Sequence, residues 1–485
     1  MNNASLELGG TNWAEKDGNI LGYSVGDTSG KYSPQEFTFA RGSNLSATRI
    51  DRAGLIVKGR ENVLVQSNSF STSPWAVSGT TLTGGQTGYD GSNDAWLLTK
   101  TASAFLYLYQ NISLSGVQSF SVYAKAGSLN IATLYINATS NYYIKFSLVD
   151  GSVIEQSNTG AIINTNAEDV GNGWYRLSAT ISDSITRVRI YPDFTETTAG
   201  NILIQDAQLE QGLAASPYIE SGATNGTAGV LENTPRLNYT TGVANPYLLL
   251  EPSRTNFTDS SEYAGLWAGI NANITTTNNA TTSPEGVDNA VKLEGLTTSS
   301  SNQIVNFGST ILNGVSVIGK TYTASVYLKP VNPSDVGDDI TLSIQRNSGD
   351  YEGLNLIFEI DSADWKRYDL TYAFTGAGAG DQVGVLFKIL RSDTTIDDIY
   401  VYGVQLEEGS YPTSYIPTYS VSATRAYDYI KYIDLQSKGI ITASQGTFLI
   451  EIDNYDFTAV QLDVQSPNLS YALRPTFRKN LVDIF

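Results

Sequence analysis

Hydrophobic and polar residues alternate with a period of two along most of the chain. Phe105-Leu-Tyr107-Leu-Tyr109, Phe120-Ser-Val-Tyr123-Ala-Lys125, Ala132-Thr-Leu-Tyr135-Ile-Asn137 and Tyr143-Ile-Lys-Phe146-Ser-Leu148 are the first clear runs. Trp174-Tyr-Arg-Leu177-Ser-Ala-Thr-Ile181, Thr186-Arg-Val-Arg-Ile190 and Ile202-Leu-Ile204 continue the series. In such a run one set of side chains packs on a core and the other meets water. Gly, Asn, Asp or Ser turns separate the runs, at the roughly ten-residue spacing that predicts an antiparallel sandwich. No window with a helical period is long enough to predict a substantial helix.

A second series repeats the first, with its landmarks in the same order. Trp75 is matched by Trp267, Phe120-Ser-Val-Tyr123-Ala-Lys125 by Ala324-Ser-Val-Tyr327-Leu-Lys329, and Trp174-Tyr-Arg-Leu177 by Trp365-Lys-Arg-Tyr368. Gln208-Leu-Glu210-Gln-Gly212 followed by Tyr218-Ile219 is matched by Gln405-Leu-Glu407-Glu-Gly409 followed by Tyr415-Ile416. Four ordered matches roughly two hundred residues apart indicate an internal duplication. The predicted architecture is therefore all-β: two tandem, antiparallel, jelly-roll-like sandwiches with an extended N-terminal arm and a short β C-terminal segment. The expected organisation is an arm over residues 1–61 and a first sandwich over 62–220. A linker and crossing strand over 221–250, a second sandwich over 251–418 and a connector with a partial β unit over 419–485 follow. The arm is too irregular to bury a core alone, so it is expected to lie on a neighbouring domain or subunit, or to dock locally as a strand.

Composition narrows the chemistry. The chain has 485 residues, no Cys and no His, which leaves no thiol nucleophile, disulfide, Ser-His-Asp triad or His/Cys-ligated zinc. Its 48 acidic against 29 basic residues give a net charge of −19, and no basic run stands out, which argues against nucleic-acid partners. No stretch approaches the roughly 18 apolar residues of a membrane helix, and Met1–Gly10 lacks the basic and apolar regions of a signal peptide. The expectation is a protein assembled in a reducing cytoplasm and released by lysis, without insertion into a membrane.

Two groups of segments go further. One is Phe37-Thr-Phe-Ala-Arg41-Gly-Ser43 with Ser46-Ala-Thr-Arg49-Ile50-Asp51; the other is Thr234-Pro-Arg236-Leu-Asn-Tyr239 with Leu250-Glu251-Pro252-Ser-Arg254-Thr255-Asn256. Together they resemble the tailed-bacteriophage appendage proteins: tail fibres, head fibres and baseplate parts. In that family the Arg-Thr-Asn opening starts a carbohydrate-binding-like sandwich, closed by Gln-Leu-Glu-x-Gly and a Ser-Tyr-Ile strand. The resemblance implies that the first sandwich is an inserted duplicate and that the chain sits on a virion surface. It also implies partners among other virion proteins and copies of itself, with a homotrimer expected. The lectin-like unit that often follows a Gly-Thr-Phe strand in the family is begun here at Gly446 and not completed.

Candidate site residues follow from sugar chemistry. Aromatic faces stack on the apolar faces of pyranose rings while amides and carboxylates take the hydroxyls. Tyr107, Tyr109, Tyr142 and Tyr143 in the first copy, and Tyr327 in the second, are the glycan-binding candidates, each weighed against plain packing in a strand. Trp174 and Trp365 repeat at one position and are read as core, whereas Trp75 and Trp267 divide between core and surface. Loop acids Asp90, Asp94, Glu285 and Asp288 suit a structural calcium or ordinary turn chemistry. No catalytic residue and no other cofactor are expected. The sequence therefore reads first as a structural virion protein, with a receptor-binding adhesin for host polysaccharide as the alternative and a glycan depolymerase behind both.

Overall fold

The computed structural model describes residues 33–42, 45–157, 162–239, 246–299, 301–307, 317–346, 352–376 and 384–431, with short strand pieces before residue 25 and after residue 475. The protein is all-β. Among the described residues helix is limited to three single turns of 3-10 type, Ala264–Leu266, Leu296–Thr298 and Pro333–Asp335.

The two copies form sandwiches of the same plan. In the first, the front sheet orders Val153–Gln156, Asn141–Ser147, Ile131–Asn137, the C-terminal half of Trp174–Pro192, the N-terminal part of Tyr107–Ala126 and Ala76–Ser78. The back sheet orders Ile162–Gly171, the rest of Trp174–Pro192, the rest of Tyr107–Ala126, Gly200–Gln211, Ala95–Lys100 and Thr80–Gln86. The two long strands thus run through both sheets, and their mutual register breaks between Asn111 and Leu114, where the chain bends from one sheet to the other. In the second copy each long strand is split in two. The front order is Gly353–Glu359, Asp339–Arg346, Val385–Leu390, Gln303–Asn306, Gly269–Ile270; the back order is Lys366–Ala373, Thr321–Pro330, Ile399–Glu408, Asp288–Glu294, Thr275–Thr282. Apart from one added strand at one edge of each sheet of the first copy, Val153–Gln156 and Ile162–Gly171, the orders match.

The cores obey the alternation. Leu108, Leu134, Ile144 and Ile190 of the front sheet meet Phe120, Val122, Leu177 and Ile204 of the back sheet in one buried cluster. Leu342, Phe387 and Ile389 meet Val326, Leu370 and Val401 in the other. Trp75 and Trp267 both belong to these cores, each donating its indole N–H to a backbone carbonyl, Gln66 at 3.0 Å and Ser260 at 3.1 Å. Trp174 is fully buried, whereas Trp365 is half-buried with its N–H on the carbonyl of Thr282 at 3.0 Å.

The repeated motif proves to be a latch. Asn62 Nδ2 donates to the carbonyls of Ala207 (3.0 Å) and Ile219 (2.9 Å), while its Oδ1 accepts from the N–H of Leu209 (3.1 Å). Asn256 does the same with Val404 (3.1 Å), Ile416 (2.9 Å) and Leu406 (3.1 Å). Gln208 and Gln405 each accept from the N–H of the closing isoleucine at 2.7 Å, and Glu210 and Glu407 each cap a following hydroxyl residue, Ser216 or Thr413.

The arm docks on both copies. Thr48–Ile50 and Ile56–Lys58 form a hairpin, Arg60–Asn62 pairs with Gly226–Ala228, and Ser33–Ala40 pairs with Tyr429–Lys431. The expected strand at 446–452 lies outside the described residues.

Candidate functional site

The outward face of the first front sheet brings together side chains that the sequence scatters over eighty residues. With Leu108, Leu134, Ile144 and Ile190 turned into the core, the period of two turns their neighbours outward. Strand register then aligns them in rows. Tyr109 pairs with Arg189, Arg189 with Tyr135, and Tyr135 with Tyr143. The next row reads Asn111, Arg187, Asn137, Asn141. Tyr107 and Tyr191 lie side by side on the other flank, ring centroids 4.9 Å apart.

The rings form a continuous platform. Tyr135 and Tyr143 are stacked at 6.3 Å with planes 16° apart, Phe194 touches Tyr135 (5.4 Å), Tyr143 (5.0 Å) and Tyr191 (5.0 Å), and Phe105 packs edge-on against Phe194 at 5.1 Å. Tyr107, Tyr109, Tyr135, Tyr143 and Phe194 are each half-buried, so part of every ring meets solvent. Phe105 is 56% exposed and holds φ +59°. A bulky residue in the left-handed region carries a strain of about 1–3 kcal/mol, and such strain collects at functional positions.

Two guanidinium groups fix the tyrosines. Arg187 sits 4.6 Å over the Tyr109 ring and donates from Nε to Asn111 Oδ1 at 2.6 Å. Arg189 sits 4.5 Å over Tyr107 and 5.0 Å over Tyr135 and donates to the Tyr191 hydroxyl at 3.0 Å. The Tyr143 hydroxyl donates to Glu155 at 2.6 Å, and that bond, with burial adding to it, holds its phenol above the ordinary value. Beside the platform lies an open depression of about 510 Å³, lined by the Asn/Arg row with Ala138 and Thr186. Amides, guanidinium groups and partly exposed aromatic side chains at one place are the equipment for holding a sugar.

Of the residues expected from the sequence, Tyr107, Tyr109 and Tyr143 meet on this face. Tyr142 points the other way: it is 4% exposed, in the core, with its hydroxyl on Asp183 at 2.9 Å. A ring with both faces packed has none to present to a ligand. Tyr327 belongs to the second back sheet, half-buried between Arg367, 5.4 Å over its ring, and Tyr402. Tyr135, Phe105, Phe194, Arg187 and Arg189 were not among the expected residues. The signal was present as the outward parity of Thr186-Arg-Val-Arg-Ile190, but parity does not say which strands are neighbours.

The loop acids are occupied by turn chemistry. Asp90 accepts from the N–H of Ser92 (3.1 Å), the one hydroxyl proton of Ser92 is shared between Asp90 and Asp94, Asp94 accepts from Gln205 Nε2 (2.8 Å), and Asp288 accepts from the Thr282 hydroxyl. An amide N–H₂ thus faces both Asp90 and Asp94 where a cation would have to sit. Glu285 is buried and paired with Lys58 (3.0 Å) and Arg60 (3.0 Å). Among the described residues no group of three or more His, Cys, Asp or Glu is placed to hold a metal.

The second sandwich serves as an internal control. The row crossing the same four strands there is Asn306, Lys388, Ser343, Asn355, and the flanking rows hold Gln303, Leu390, Thr341 and Ile357, then Leu386, Gln345 and Gly353. No aromatic ring stands among them, and Leu386, Lys388 and Leu390 are buried. The two copies keep their latches and core tryptophans but not this face.

No family model and no curated protein matches the sequence. Among solved structures, the chain is similar to an arabinose-bound α-L-arabinofuranosidase, MgGH51, at 16% identity, covering 33% of this chain and 27% of that one, with a TM-score of 0.26. It is also similar to the tandem CBM22-1–CBM22-2 domain of Paenibacillus barcinonensis Xyn10C, at 13% identity, covering 76% and 99%, with a TM-score of 0.25. The tandem CBM51 modules of the family 98 glycoside hydrolase from Streptococcus pneumoniae SP3-BS71 match at 12% identity, covering 77% and 100%, with a TM-score of 0.18. At such scores the function rests on the residues themselves.

Proposed function

We propose that this protein is a non-catalytic glycan-binding protein whose first sandwich holds polysaccharide on its front sheet. The observation that carries the reading is the row Tyr109, Arg189, Tyr135, Tyr143 beside the row Asn111, Arg187, Asn137, Asn141. In the second copy, where the scaffold is the same, those rows have no ring. Residues needed by the scaffold recur in both copies; residues present in one copy and partly open to solvent serve something else. The depression's lining includes no carboxylate, whereas glycoside cleavage needs a pair facing one cleft.

The setting proposed is a tailed-bacteriophage appendage, with attachment to host-surface polysaccharide and other copies of the chain as partners. Its support is the resemblance of the arm and linker segments, together with what those segments do here. Arg41, Arg236 and Glu251 come from them, and with Arg425 and Asp428 they build one buried hub. Weak single-site binding multiplied over a trimer suits such attachment.

Binding of the full chain to a polysaccharide array tests the function. Tyr109→Ala and Tyr135→Ala are each expected to weaken retention about tenfold, the value of one lost ring stack. Tyr327→Ala is expected to leave retention unchanged. Equal retention by all three variants would remove the platform from the function.

A further inference from the structure

The glycan reading leaves open what kind of sugar the face selects, and its charge speaks to that. We infer that the front sheet of the first sandwich takes an acidic saccharide, with a carboxylate of the sugar received by Arg187 and the rest of the saccharide lying along the adjoining tyrosine row. This deepens the function proposed above and rests on it.

Arg187 and Arg189 stand in adjacent outward rows, and among the described residues neither pairs with a carboxylate. Their hydrogen bonds go to neutral groups, the Asn111 side chain and the Tyr191 hydroxyl. By contrast, Arg41, Arg60, Arg236 and Arg425 are all ion-paired. The nearby acids spend their acceptor oxygens on other groups. Glu155 is tied to the Tyr143 hydroxyl (2.6 Å) and to Lys145 (3.4 Å), and Asp183 accepts from the N–H groups of Ser140 (3.2 Å) and Ser184 (2.7 Å) and from Tyr142. A locally positive patch on a chain of net charge −19 stands apart from the charge around it.

Geometry favours a planar carboxylate. Arg187 uses Nε on Asn111, so its terminal N–H groups remain for a bidentate contact, the arrangement in which guanidinium and carboxylate match best. Its guanidinium is already held by the Tyr109 ring, 4.6 Å from the centroid, and by Asn111, so little side-chain freedom is lost on binding.

The test compares an oligogalacturonate with the same oligosaccharide after chemical reduction of its carboxyl groups, by titration calorimetry on the full chain. Expected is at least a tenfold weaker Kd for the reduced form, and an affinity for the acidic form that falls as salt is raised. Arg187→Gln is expected to bring the acidic form down to the level of the reduced one, while Arg187→Lys recovers part of the loss. Because the sugar is altered as well as the protein, a misfolded variant cannot imitate the result. Equal affinity for both forms would overturn the charge inference and leave glycan binding standing. No binding of either form, nor of any polysaccharide on the array, would overturn the glycan reading and the inference with it.

Discussion

Phe105 separates the two demands on a residue, stability and function. Its φ of +59° suits glycine and strains a bulky side chain, yet its ring is exposed beside Phe194. Phe105→Gly should therefore raise thermal stability, by about 1 kcal/mol in chemical denaturation, while weakening polysaccharide retention. A variant both less stable and equally retentive would show the ring to be packing. Asp206 carries the clearest pH signature. Burial, reinforced by the charges of Asp94 and Asp90, lifts its carboxyl from 3.8 to about 7 against the hydrogen bond from Tyr89. A carboxyl raised in the folded state contributes stability that is complete below the unfolded value, near 4, and lost as pH rises through about 7. Denaturant unfolding should lose a few kcal/mol between pH 4 and pH 8, and Asp206→Asn should flatten that decline.

At the level of strands and motifs, the latches dominate. Removing the Asn256 side chain strips partners from the carbonyls of Val404 and Ile416 and from the N–H of Leu406, all buried. Asn256→Ala should cost about 3 kcal/mol, read as a lower denaturation midpoint. The alternation at Phe120–Lys125 and the recurrence of Gln208 as Gln405 placed both sandwiches from the sequence, because parity and repetition are local properties. The platform was legible only in part. Tyr107 and Tyr109 show their outward parity within one run, but joining them to Tyr135 and Arg189 requires knowing which strands pair, and that is set by contacts far apart in the chain. Tyr142 and Tyr143 show the limit most directly, since adjacent residues of one strand must face opposite ways, and only the position of the core says which is which. Asp90 and Asp94 looked available for calcium because Gln205, whose amide fills the space between them, lies more than a hundred residues on.

Across the whole molecule, buried charge joins an apolar cluster of Ile50 and Ile56 on Ala290, Tyr402 and Tyr415 where the arm meets the sandwiches. Lys58 enters a cage of Tyr402, Tyr415 and Tyr419, its ammonium 5.5–5.6 Å from each ring centroid, and pairs with Glu262 and Glu285. Arg60 reaches Glu285 of the second copy and Glu210 of the first. Burial opposes the charge on Lys58, but the two glutamates outweigh it and hold the group above its ordinary value. Lys58→Met should cost about 3–5 kcal/mol by stranding the buried carboxylate of Glu262, since Glu285 keeps Arg60, and adding Glu262→Gln should recover part of it. A double variant no more stable than the single would deny the coupling. In the neighbouring hub, burial alone would raise Glu251, yet Arg425 and Arg236 hold it at about 2. Its contribution is thus present above the unfolded value of 4.5 and fades only as pH falls towards 2.

The bond between Arg41 and Asp428 spans 387 positions. A ribosome adding about 5–20 residues per second needs some 20–80 seconds to cover that distance. Until Asp428 has emerged, Arg41 has only the backbone carbonyls of Leu231 and Glu232 to bond, so the closure of this buried hub waits on synthesis of the segment after the second sandwich.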